Sequence, residues 1–89
     1  MRLKARTDAN QVEVVKALRK IGAAVYVIGL PVDLLVWHRG VLHLVEVKVE
    51  GGTYTKQQVK FMAEWPGEVH TARTPEEAVA KVIGKKAMK

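Results

Sequence analysis

The chain lacks cysteine altogether, and none of its apolar runs is long enough to span a bilayer. The absence of cysteine excludes disulfide bonds and zinc sites built on thiolates. Residues 1–16 are polar and charged, without the apolar segment that a signal peptide needs. We therefore expect a cytoplasmic protein that has no membrane partner.

Three histidines are present, but the spacing of His38, His43 and His70 does not match that of a zinc site. His38 and His43 flank a predicted turn, and we expect both side chains at the surface or in contact with phosphates.

Acidic residues are the scarcer charge, with nine Asp and Glu against 15 Lys and Arg, which gives a formal net charge of +6. This excess favours a polyanionic partner, although ordinary solubility charge explains it equally well. The 89 residues form one domain. A domain of this size buries roughly 60–65% of its unfolded surface, so a dimer would supplement its small core.

Capping residues and apolar periodicity predict the element order α-β-β-β-α-β-α, an α/β domain with a central mixed sheet flanked by helices. A first helix is capped by Asp8 and ends near Ile21, with Val12, Val15, Leu18 and Ile21 as its apolar stripe. Strands follow over residues 24–28, 32–37 and 41–49, then a helix over 55–65, a strand over 68–71 and a helix over 74–84. Residues 1–7 form a basic arm and residues 85–89 a basic tail.

The chemistry lies in the two strands that form a predicted hairpin. Asp33 begins one strand, and Glu46 and Lys48 end the next. Because side chains alternate between the faces of a strand, Glu46 and Lys48 project from one face and Val47 from the other. Pairing of the strands would bring Asp33 beside Glu46. Two carboxylates with a lysine at their edge suit metal-dependent hydrolysis of phosphodiesters.

The ordered motifs Pro31-Val32-Asp33 and Glu46-Val47-Lys48 resemble the PD-(D/E)XK nuclease superfamily, and more narrowly its stand-alone VRR-NUC proteins of phage and bacteria. The likeness covers nearly the whole chain and departs at Val32, where the group usually has proline directly before the aspartate. Further matching positions are Gln11 on the helix before Gly22, the turn residue Gly40, Gln58 with Phe61, and Gly67 before the last strand and helix.

This resemblance implies a restriction-endonuclease-like core and a homodimer that cuts branched DNA such as Holliday junctions. Mg²⁺ or Mn²⁺ would be held by Asp33, Glu46 and the backbone carbonyl of Val47. Lys48 would orient the attacking water or stabilise the charged phosphate. Gln58 would position substrate or the water of the metal. Gln11 stands where many relatives carry a glutamate.

The third metal ligand is left open by the residues of the first helix. At 100° per residue, Gln11 falls between Val15 and Leu18 on the apolar face, and Asp8 lies one turn earlier. Glu13 falls at the border of the polar face. The Gln11 amide oxygen, Asp8, Glu13 or water are the alternatives.

Candidate DNA contacts lie outside this motif. Tyr54 stands in the Gly-rich loop beside the site and is the aromatic residue expected to touch DNA. Basic residues would contact phosphates without reading sequence. These are Arg2, Lys4, Arg6, Lys56 and Lys60.

The sequence is compatible with three functions. The first is a metal-dependent, structure-specific DNA endonuclease that uses Asp33, Glu46 and Lys48. The second is a non-catalytic nucleic-acid-binding module with a degraded nuclease site, to which Gln11 in place of an acid gives some weight. The third is an α/β domain of a protein assembly, in which the acids are surface charge.

Overall fold

The computed structural model describes residues 9–49 and 52–84, so the predicted basic arm and basic tail lie outside the described residues. The predicted order of helices and strands is confirmed, and so is the α/β class with a mixed sheet. The elements are α1 (Ala9–Lys20), β1 (Ala24–Val27), β2 (Leu34–His38), β3 (Val41–Val47), α2 (Lys56–Glu64), β4 (Val69–Ala72) and α3 (Pro75–Gly84).

Local sequence signals account for the ends of these elements. Thr55 caps α2, and its hydroxyl accepts from the Gln58 N–H while the Gln58 side chain accepts from the Thr55 N–H. Arg39 and Gly40 connect β2 to β3 with φ of 52° and 82°. This two-residue turn with left-handed backbone matches the right-handed twist of the strands that it joins.

The four strands form one sheet in the order β1-β2-β3-β4. The first three strands are antiparallel neighbours, while β4 runs parallel to β3 after the α2 crossover. In the β2–β3 register Leu34 lies opposite Val45 and Trp37 lies opposite Leu42. In the β3–β4 register Glu46 lies opposite Thr71.

One face of the sheet is covered by α1 and α3 and holds the hydrophobic core. The sheet contributes Val25, Leu34, Val36, Val45 and Ala72, and the helices contribute Val14, Val15, Leu18, Ala78 and Val82. The predicted stripe of α1 is therefore wrong at Val12, which is half exposed, and it omitted the fully buried Val14. Because α1 packs on α3 as well as on the sheet, its buried arc turns toward Val14.

We call the opposite side of the sheet the open face. Alternation along the strands places Tyr26, Leu35, Trp37, Leu42, Leu44 and Val69 on it, with Asp33 and Glu46 at one end. Tyr26, Trp37 and Leu42 are more than half exposed. None of the α2 residues is buried, so this helix adds little to the core.

The helices of the described ranges, 9–49 and 52–84, are all too short or too polar to cross a lipid bilayer.

Candidate active site

Asp33 and Glu46 meet at the end of the open face, as the predicted pairing of β2 and β3 requires. The Asp33 N–H donates to Glu46 Oε1 at 3.2 Å. In return, Asp33 Oδ2 accepts from the Val47 N–H at 2.8 Å. Each carboxylate thus accepts a hydrogen bond from a backbone N–H of the neighbouring chain segment, which holds the two side chains beside each other.

Glu46 is a buried carboxylate on a strand of otherwise apolar neighbours. Its residue exposure is 3%, and burial raises the pKa of its carboxyl, with the nearby negative charge of Asp33 raising it further. The Lys48 ammonium acts in the opposite direction but leaves the pKa raised. A positive charge placed between Glu46 and Asp33 would therefore stabilise both ionised groups.

Lys48 projects from the same face as Glu46, as predicted, and its ammonium lies 3.5 Å from Glu46 Oε2. The ammonium also donates to the carbonyl oxygen of Thr53 at 2.9 Å and to Gln58 Oε1 at 3.1 Å. The Lys48 side chain is only 14% exposed. An ammonium has three donors, so these partners define its position closely.

Gln58 combines a capping role and a site role. Its Oε1 accepts from the Lys48 ammonium and from the Thr55 N–H, while its Nε2 donates to Glu46 Oε2. The capping box at the start of α2 therefore also connects the helix to the carboxylate cluster. A cleft of about 300 Å³, lined by Leu30, Pro31, Gln57 and Gln58, opens beside this connection.

The first helix reaches the site through Asn10 instead of Gln11. The Asn10 amide donates to the backbone carbonyls of Lys48 at 3.5 Å and Arg73 at 3.3 Å. Within the described ranges, Gln11 is half-buried and makes no hydrogen bond to Asp33, Glu46 or Lys48. Glu13 is exposed and lies 3.8 Å from Lys16, and Asp8 lies outside the described residues.

The donor set fits one hard cation with few protein ligands. Asp33 and Glu46 supply carboxylate oxygens. Because the Lys48 N–H donates to Ala72 on β4, the preceding residue Val47 directs its N–H and carbonyl toward the Asp33 side. In the described part of the chain, no group of three or more His, Cys, Asp or Glu gathers as a metal cluster. Water would complete the coordination of a cation such as Mg²⁺.

The basic residues predicted to contact DNA either lie outside the described residues or project away from the acid cluster. Arg2, Lys4 and Arg6 lie outside the described residues. Lys56 and Lys60 are exposed on α2, two positions to either side of Gln58, and so project about 160° away from the side chain that contacts the site.

Tyr54 is half-buried, and its contacts lie within the protein. Its hydroxyl is hydrogen-bonded to the Thr71 hydroxyl, and its ring centroid lies 5.0 Å from the Lys48 ammonium. Thr53, Thr71 and Asn10 were missed by the sequence reasoning. The contacts of Thr71 and Asn10 depend on how β4 and α1 pack beside β3, and Thr53 acts through its backbone carbonyl, which its side-chain type does not indicate.

His38 and His43 are buried, contrary to the expectation of surface positions, and His70 is buried as well. His43 Nδ1 lies 3.2 Å from His70 Nε2 on the helix-covered side. The parallel pairing of β4 with β3 brings His43 and His70 together, and this pairing could not be predicted from the short segment 68–71.

Comparison with protein-family models, with curated proteins and with solved structures gives no significant match to this chain. The assignment to a family therefore stays a prediction from the sequence motifs.

Proposed function

We propose that this protein is a metal-dependent endonuclease that hydrolyses phosphodiester bonds in DNA, with branched DNA such as a Holliday junction as its substrate. The observation that carries the proposal is the cluster of Asp33, Glu46 and Lys48, held together by strand pairing and joined to Gln58. The proposal includes the restriction-endonuclease-like core and the VRR-NUC relationship expected from the motifs.

Each group of the cluster would have its own role in the hydrolysis. Asp33, Glu46 and Val47 would hold Mg²⁺ or Mn²⁺, which lowers the pKa of a water and offsets charge on the phosphate. Lys48 would supply a positive charge beside the carboxylates, which would orient the attacking water or stabilise the charged phosphate. Gln58 holds the Lys48 ammonium and Glu46 in register with each other. The excess of basic residues favours a polyanionic substrate.

The testing experiment uses purified protein with labelled four-way junction, flap, duplex and single-stranded DNA, each with Mg²⁺, Mn²⁺ or EDTA. We expect metal-dependent, symmetric nicking of the junction, which Glu46→Ala and Lys48→Ala abolish. Glu76→Ala is the matched control, because Glu76 is an exposed glutamate on α3, away from the cluster. Cutting of flaps or ends instead would keep the nuclease and change the substrate. No cutting with either metal would refute the proposal.

A second function, a nucleic-acid-binding module without catalysis, is favoured by one observation. The helix position expected to carry a third acid holds Gln11, and among the residues that the structure describes Gln11 makes no hydrogen bond to Asp33, Glu46 or Lys48. Tight junction binding without cleavage, unchanged in Glu46→Ala, would establish this function in place of the first.

The proposal also includes a homodimer, with the open face of the sheet as the contact surface. The chain has a net charge of +6, but among the described strand residues Tyr26, Trp37 and Leu42 have the uncharged neighbours Leu35 and Leu44 on this face, so two copies would meet there without repulsion between these side chains. The exposed parts of Tyr26 and Trp37 together offer on the order of 200–300 Å². A stable interface needs roughly 800 Å² per partner, so these rings would form its aromatic centre.

Sedimentation equilibrium of Trp37→Glu tests this surface. The buried negative charge is expected to convert the dimer to monomers. Val12→Glu is the matched control, because Val12 on α1 is exposed to the same extent, 53%. A wild-type monomer at all concentrations would refute the dimer, and a dimer that survives Trp37→Glu would refute the surface.

A further inference from the structure

Tyr54, the aromatic residue expected to touch DNA, also makes two contacts within the protein. It lies in the segment between β3 and α2, where the chain passes over the end of the open face. Its ring lies 5.0 Å from the Lys48 ammonium, within range of a cation–π contact. Its hydroxyl is hydrogen-bonded to the hydroxyl of Thr71. Thr71 is the β4 residue that lies opposite Glu46 in the sheet.

The same segment provides a second contact to Lys48. Thr53, the residue before Tyr54, places its carbonyl oxygen 2.9 Å from the ammonium. The bond between Tyr54 and Thr71 therefore anchors the same short segment that supplies an acceptor to Lys48. Thr71 is itself held, because its backbone carbonyl accepts from the Lys81 ammonium at 2.8 Å.

We propose that Tyr54 and Thr71 are positioning residues that hold the Lys48 ammonium beside Glu46 for phosphodiester cleavage. This inference rests on the proposed function and adds two residues to its site. Neither residue touches substrate. They act through Lys48, since the Thr71 hydroxyl fixes the Tyr54 ring and the ring, with the Thr53 carbonyl, fixes the cation.

The kinetic test uses Tyr54→Phe, Thr71→Val and the double variant on labelled four-way junction with Mg²⁺. Each single change removes the same hydrogen bond, so each is expected to lower kcat about fivefold with KM unchanged. The double variant should lose no more than either single one, because the residues act as a pair. Thr71→Ser keeps the hydroxyl and should restore kcat.

Stacking of Tyr54 on a DNA base is the competing role, and it gives the opposite result. Tyr54→Phe and Thr71→Val would then leave cleavage unchanged, while Tyr54→Leu would raise KM. That outcome would overturn the inference. Circular dichroism and thermal unfolding would show that each variant is folded before its kinetics are compared.

A spectroscopic readout separates this inference from the proposed function. Proton NMR of the protein alone should show the Lys48 ε-methylene resonance shifted upfield by the Tyr54 ring, with the shift reduced in Thr71→Val and lost in Tyr54→Leu. An unshifted wild-type resonance would overturn the positioning. A shifted resonance in a protein that cuts no DNA would refute the nuclease and leave the Tyr54–Lys48 contact established.

Discussion

The two faces of the sheet are made by the same strands and have opposite surroundings. On the helix-covered face, Leu34 and Val45 are fully buried beneath α1 and α3. One residue away along each strand, Asp33 and Glu46 form a carboxylate pair on the open face. Leu34 and Val45, the residues next to Asp33 and Glu46, are packed in the core. This packing restricts the movement of the strand segments that carry the two carboxylates.

The first prediction tests whether the hydrophobic core lies only on the helix-covered face of the sheet. Leu34→Ala leaves a cavity under α1 and is expected to lower the free energy of unfolding by about 2–5 kcal/mol. Leu42→Ala removes the same atoms from the open face, where the side chain is 54% exposed, and should change the monomer by less than about 0.5 kcal/mol. Urea titration of both variants at low protein concentration measures the difference. Equal losses would contradict the one-sided core.

The second prediction concerns the polar side. Glu46→Gln removes the buried charge and keeps the shape of the side chain, so junction cleavage should fall at least about 10²-fold. The variant should nevertheless be more stable than the wild type at pH 7. Burial and the charge of Asp33 raise the pKa of Glu46, so the folded state holds its ionised form less well than the unfolded state does.

A carboxylate with a lowered pKa stabilises the folded state at neutral pH. The raised pKa of Glu46 has the opposite effect, because ionisation of this group destabilises the folded state. The advantage of the Gln variant is full above the raised pKa of Glu46 and fades as the pH falls toward the ordinary carboxyl pKa. Thermal unfolding of both proteins between pH 4 and pH 8 tests this. A variant less stable than wild type at pH 7 would mean that the bonds from Lys48 and Gln58 outweigh the burial of the charge.

The third prediction concerns the pH dependence of cation binding to the carboxylates on the open face. A metal and a proton compete for Glu46, so Mn²⁺ affinity should rise with pH, by up to about tenfold per unit while Glu46 is protonated. Because the Glu46 pKa is raised, this dependence should extend to higher pH than that of an ordinary glutamate. Calorimetric titration of the protein with Mn²⁺ measures it, with Glu46→Gln as the control that removes the dependence. Affinity that stays constant with pH would place the metal elsewhere.

The fourth and smallest prediction lies at the start of α3, on the covered side. The Arg73 N–H donates to Glu77 at 2.7 Å and lowers the pKa of its carboxyl. Glu77→Ala should cost about 1 kcal/mol at pH 7, or less because the side chain is over a third exposed. The loss should diminish as the pH falls through the lowered pKa. Denaturant titration against Glu76→Ala, which breaks no cap, measures it.

Much of the fold could be predicted because its boundaries are written locally. The Thr55–Gln58 and Thr74–Glu77 pairs mark helix starts through short-range hydrogen bonds, and both are present in the structure. The pair Asp33 and Glu46 could also be placed, because a two-residue hairpin turn fixes the register of its strands.

The remaining features depend on contacts between distant segments. A helical wheel drawn for α1 alone does not include its packing on α3, so it assigned Val12 to the buried face and omitted Val14. The contacts of Asn10 with the carbonyls of Lys48 and Arg73 likewise depend on distant segments. The parallel register of β4 is set after a crossover, so the nearness of Thr71 to Glu46 and of His70 to His43 could not be inferred from spacing.

The attachment of α2 has a kinetic consequence. The helix buries no residue of its own and is joined to the sheet at its first turn by Gln58, which contacts Glu46 and Lys48. Its amides therefore belong to the part of the molecule that exchanges with solvent through local opening, well before the core strands. A cation that draws the Glu46 oxygens away from Gln58 would change the rate of that opening. The exchange rates of α2 would then report, amide by amide, whether the site a few ångströms away is occupied.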